Sequence, residues 1–283
     1  MNNKFDWNRF CKVVNKDFRN MWPMFGTTMI ILAALPFAVW LFMTVLGIDD
    51  PLDPAVRLLI IQGVAYIAAL MAPSRMYRTW NLRNEGIYFA MQPASKLEKY
   101  CSALLFSLIV CPLAVFLGSM VLDVFLTLLP FGPWEAWLWQ SKVGFPFVFD
   151  VGNILGDMAV SDYGSDAFRV MHFGTLYNIG CWLGYIATVL MFVFTATLFK
   201  RHKVLLTILW LYVINFVLSI VLIPLFMFLF GSTDFIEWMY ELSERMSPEQ
   251  MVGWVFGISI AFDVLLIALF GWLSWRRLKR MTY

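Results

Sequence analysis

The sequence predicts an all-α, polytopic membrane protein of about six transmembrane helices, with N- and C-termini both cytoplasmic and an N-terminal interfacial amphipathic helix. Three observations carry that prediction. The chain of 283 residues is 61% hydrophobic and 14% charged, with a mean hydropathy of +0.73, whereas soluble domains carry about 25% charged residues. Its apolar residues fall in runs long enough to cross hydrocarbon, which takes about 20 residues of helix. Its Lys and Arg residues gather in every second connection between those runs, which places them on one side.

In chain order, the first element is Phe5–Met21. Trp7, Phe10, Val14, Phe18 and Met21 recur at steps of three and four, while Arg9, Lys12, Lys16 and Arg19 occupy other positions. That period describes an amphipathic helix lying in the membrane interface; the alternative is an ordinary basic flank. The sequence Trp22-Pro23 predicts the end of this helix and a turn into the membrane. Basic residues stud the first twenty positions and no small-residue cleavage site follows an apolar run, so these residues do not read as a cleavable signal peptide.

Six spans follow, over residues 24–48, 54–74, 102–129, 175–199, 204–230 and 251–275. The second reaches full length if Arg57 snorkels to the interface. The third is interrupted by Asp123, the sixth by Asp263, and Pro36, Pro112 and Pro224 permit kinks. Ser95 and Glu98 form a capping box ahead of the third span, and Gln92-Pro93 breaks whatever precedes it. Two G-x-x-x-G patterns, Gly180–Gly184 and Gly253–Gly257, are candidate seats for neighbouring helices. The external loop 130–174 is rich in Phe, Trp and Gly, with pieces apolar enough to lie on the outer leaflet, and 235–246 has a helical pattern.

Orientation follows from the retention of basic residues in the cytoplasm. With this topology, 17 of the 21 Lys and Arg residues share one side with both termini, and the opposite loops are acidic. A net charge of +2 offers nothing to nucleic acid. The chain contains no P-loop, no H-E-x-x-H and no G-x-S-x-G. The spacing of four cysteines and two histidines makes neither a disulfide framework nor a metal site. The expectation is a non-enzyme with no cofactor, no metal and no catalytic residue.

Polar groups within the spans are the sharper signal, because a charge in hydrocarbon is costly, about 2.5–3.5 kcal/mol at a helix centre on insertion scales. Asp123, Asn178, Asn215 and Asp263 are candidates for an intramembrane polar site. The competing reading of Asp123 is an acid near the external end that reaches headgroup water; that of Asp263 is a structural acid, protonated or hydrogen-bonded, with Asn178 or Asn215 as partner across helices. An ion-coupled transporter using Asp263 is a weaker reading of the same residues.

The segment Met91-Gln92-Pro93-Ala94-Ser95-Lys96-Leu97-Glu98-Lys99-Tyr100 resembles a stretch in the ABC-2 type transporter permeases of bacteria, in a form similar to Bacteroidetes variants. There it lies between helices two and three and precedes a charged helix entering the third span. The layout of six spans, both ends inside, a leading amphipathic helix and no nucleotide site is also similar. It departs from the family in placing the long external connection between spans three and four rather than five and six. The resemblance implies a permease pairing as a homodimer or heterodimer in the inner (cytoplasmic) membrane and docking a separate ABC ATPase subunit. Carried over, the docking residues are Arg83, Glu85, Gly86, Tyr88 and Met91. The expected function is ATP-driven export of an unknown substrate, with membrane lipid as a further partner; the alternative is a non-transporting structural or regulatory inner-membrane protein, such as an assembly partner.

Overall fold

The computed structural model describes residues 5–47, 52, 54–76, 93–129, 134, 171–199, 203–230 and 248–280. Those residues form eight α-helices, with no strand among them: α1 (Trp7–Ala33), α2 (Leu35–Val45), α3 (Pro54–Met76), α4 (Lys96–Leu105), α5 (Cys111–Thr127), α6 (Met171–Leu198), α7 (Lys203–Phe230) and α8 (Pro248–Arg280). A π-helical turn, Phe106–Val110, joins α4 to α5 in one continuous rod.

Five rods among the described residues are long and apolar enough to cross a membrane: 7–45, 56–76, 96–127, 178–198 and 256–279. Helix α7 adds a sixth of sufficient length, 28 residues, or about 42 Å at the α-helical rise. The predicted spans two to six thus coincide with α3, α4–α5, α6, α7 and α8, although α8 starts earlier and runs past the predicted end.

The first span differs from expectation. The helix does not end at Trp22-Pro23: α1 runs through Pro23 to Ala33 without interruption. The Trp22 ring folds back over Gly26, so that a Cβ there would lie 3.1 Å from it. A proline inside a membrane helix costs little when neighbouring groups satisfy what it frees. The break comes instead at Ala34, ahead of Pro36 in the first turn of α2. Pro36 has no N–H for the carbonyl one turn back, and Ser119 Oγ of α5 reaches the adjacent Ala33 carbonyl at 3.4 Å. Trp7, Phe18 and Trp22 are exposed on the outside of α1, as are Lys12, Lys16 and Arg19. That mixture of aromatic and basic side chains suits the headgroup layer.

Helix α3 is the centre of the bundle and packs against α1, α5 and α6. Ala65, Ala68, Ala69 and Ala72 of α3 are fully buried, and side chains this small let neighbouring backbones approach. Of the two glycine patterns, the first seats a helix: a Cβ on Gly180 would meet Ile260, and one on Gly184 would meet Asp263, both on α8. Gly253 and Gly257 have nothing within 4 Å of the same position.

The π-turn has a local cause. Pro112 cannot donate to the carbonyl of Leu108, and the Cys111 N–H bonds back to Phe106 instead. The Leu108 carbonyl is not orphaned, because the Tyr185 hydroxyl of α6 donates to it at 2.7 Å.

Candidate functional site

Polar chemistry gathers at the two ends of the α3–α5 pair. At the first end stands the capping box at the head of α4. Glu98 accepts from the Ser95 N–H at 2.9 Å, and the Glu98 N–H donates to Ser95 Oγ at 3.2 Å. The same carboxylate also accepts from the Asp6 N–H at 2.9 Å and pairs with the Arg9 guanidinium at 3.2 Å. Asp6 is itself the N-cap of α1, accepting from the Asn8 N–H. One fully buried carboxylate therefore ties the start of α1 to the start of α4. A carboxylate removed from water is stable only when its lone pairs are filled in this way.

The tail of α8 reaches the same junction. Lys96 Nζ donates to the Lys279 carbonyl at 2.9 Å, and the Tyr100 ring lies 6.0 Å from that of Trp275. Arg277 Nε donates to the Thr197 carbonyl near the end of α6 at 3.1 Å. Further along, Ser102 Oγ donates to Asp17 of α1 at 2.6 Å. The N-terminal helix, the entry to α4, and the last turns of α6 and α8 thus meet at one end of the bundle. These are the segments that the basic residues assign to the cytoplasm.

At the opposite end, Arg57 and Asp123 form a two-pronged ion pair. Arg57 Nε lies 3.2 Å from Asp123 Oδ1, and Nη2 lies 2.7 Å from Oδ2. Each residue is 1% exposed. The Trp134 ring covers the guanidinium at 4.7 Å, within cation–π range, and packs with Trp40 and Leu126 into an aromatic cap. Arg57 therefore does not snorkel; it turns inward to its partner. The two residues lie at the same depth, which their separate positions along the sequence do not show. Arg57 stands three residues into α3 and Asp123 four before the end of α5, on neighbouring antiparallel helices. An arginine on the side where basic residues are scarce was the legible signal.

The remaining candidates fall apart in space. Asp263 faces Gly184 across the α6–α8 contact, and no ion pair or hydrogen bond reaches it among the described residues. Asn178 likewise hydrogen-bonds neither acid there, and the side chain of Asn215 lies outside what is described. Asp123 and Asp263 are thus held against different neighbours, α3 and α6. The predicted docking residues Arg83, Glu85, Gly86, Tyr88 and Met91, nearly all of the loop 130–174, and residues 235–246 also lie outside the described residues. Among the described residues no group of three or more His, Cys, Asp or Glu converges as a metal site.

Fold and site together define an all-α, multi-pass membrane protein with a buried carboxylate junction at one end and a buried ion pair at the other. No family model matches the chain, and no curated protein or solved structure matches it either.

Proposed function

We propose that the chain is the permease subunit of an ATP-driven exporter of ABC type in the inner membrane, working as a homodimer or heterodimer with a separate ATPase. The observation that carries this reading is the Glu98 junction. Residues 77–92 form the connection between α3 and α4, and that connection returns to the bundle at the turn where Glu98 ties α1 to α4 and Lys96 reaches the Lys279 carbonyl of α8. A force applied by an ATPase to Arg83–Met91 passes directly into three helices. The Glu98 carboxylate holds α1 to α4 through several charge-assisted bonds, each worth about 1.5–3 kcal/mol.

The test begins with purification of the full-length chain from native membranes. It should return an ATPase carrying a P-loop, with hydrolysis that rises when the two are reconstituted together. Simultaneous charge reversal at Arg83 and Glu85 should release that ATPase from a well-expressed protein. Glu98→Gln should keep the ATPase bound while lowering its stimulated hydrolysis. An ATPase that stays bound after the double reversal overturns the docking assignment. Purification without any ATPase overturns the permease reading and favours a structural or regulatory membrane protein.

A further inference from the structure

Three sulfur atoms from three helices meet inside the bundle. Cys111, at the end of the π-turn, places its Sγ 3.5 Å from Met76 Sδ at the end of α3 and 3.9 Å from Met21 Sδ of α1. Cys111 is fully buried, and Met76 and Met21 are 5% and 7% exposed, all within one core cluster. The sequence separations are 35 and 90 residues, so no spacing rule reveals the set.

Bonds from a metal to sulfur are about 2.3 Å long, so two sulfurs sharing a three-coordinate ion lie about 4.0 Å apart. The Sγ–Sδ separations of 3.5 and 3.9 Å are close to that value, and binding needs only small rotations of flexible thioether side chains. Thiolate and thioether are soft donors and select Cu(I). Charge narrows the choice further. When the thiol gives up its proton, one thiolate and two neutral thioethers surround a monovalent cation with no net charge. A divalent ion would leave a positive charge buried among apolar side chains, which is costly. A π-turn at the ligand-bearing residue also recurs at functional positions in helices.

From this geometry we infer a binding site for a monovalent soft metal ion, Cu(I) in class, formed by Met21, Met76 and Cys111. The binding step replaces the Cys111 S–H bond by a metal–sulfur bond and releases one proton; no electron is transferred. The site does not depend on the permease reading.

The test uses the full-length chain in detergent with Cys11, Cys101 and Cys181 each replaced by serine, so that Cys111 is the remaining thiol. Cu(I) is titrated in a reducing buffer against a chromophoric Cu(I) chelator. One Cu(I) per chain should be retained, Ag(I) should displace it, and excess Zn(II) should not. Cys111→Ser should abolish retention. Met21→Leu and Met76→Leu preserve side-chain volume and should each weaken affinity by about tenfold or more, at least the loss that follows removal of a supporting contact. Copper-edge X-ray absorption of the chain with all its native residues should show sulfur neighbours alone. Failure of the Cys111-only protein to hold Cu(I), displacement by Zn(II), unchanged affinity in both leucine variants, or oxygen and nitrogen neighbours would each overturn the site.

Discussion

Arg57 illustrates how a single side chain can resist one-dimensional reading. Its position near the end of an apolar run invites the expectation of a long stem reaching water, which is the usual fate of such an arginine. Its true partner, Asp123, lies 66 residues away, and only the antiparallel pairing of α3 with α5 equalises their depths. Two charges removed from water are kept by mutual geometry, and removing one strands the other at a cost of about 3–5 kcal/mol. Arg57→Met and Asp123→Leu should each lower thermal stability in detergent sharply. The double substitution should be the more stable of the three variants, because it leaves no buried charge. A double variant as unstable as the sum of its parents would show that the pair acts through packing with Trp134 rather than through charge.

At the scale of elements, the rods were legible and their irregularities were not. The spans from α3 to α8 were visible as long apolar runs with basic residues gathered at one end of each, and the capping box Ser95–Glu98 was visible as a four-residue pattern whose hydrogen bonds are local. Prolines were harder. Pro23 was expected to end a helix and does not, whereas Pro36 separates α1 from α2 and Pro112 follows a π-turn. At Pro112 the compensating group comes from another helix, which local sequence does not reveal. Tyr185 donates to the Leu108 carbonyl that Pro112 leaves without its helical donor. Tyr185→Phe should therefore cost about 1–3 kcal/mol, the price of a buried unpaired carbonyl. Adding Pro112→Ala, which restores a backbone N–H, should recover part of that loss in thermal unfolding. No recovery would mean that the hydroxyl matters for something other than the proline gap.

For the whole molecule, orientation rests on where lysine and arginine fall, and the structure brings the chemically related segments to one end. Cys11 is exposed at that end, which gives a native reporter. A membrane-impermeant thiol reagent added to intact cells should leave Cys11 untouched and modify it only after permeabilisation. A cysteine placed at Asp162, in the long acidic loop, should react from outside without permeabilisation. The reverse pattern would invert the topology and remove the cytoplasmic junction with it. Apolar length and basic flanks made this level readable, since both are summed over tens of residues. The sulfur cluster and the ion pair were hidden because each depends on which helix stands beside which.

The ion pair also determines how the bundle can respond to load. With α3 and α5 pinned together at Arg57–Asp123, the rod from Asp123 back to Glu98 is a lever about 37 Å long at the α-helical rise. A push of about 5 Å at the Glu98 end would swing that rod through only about 8°. A rotation of that rod about the ion pair would displace it least beneath Trp134 and most at the Glu98 end.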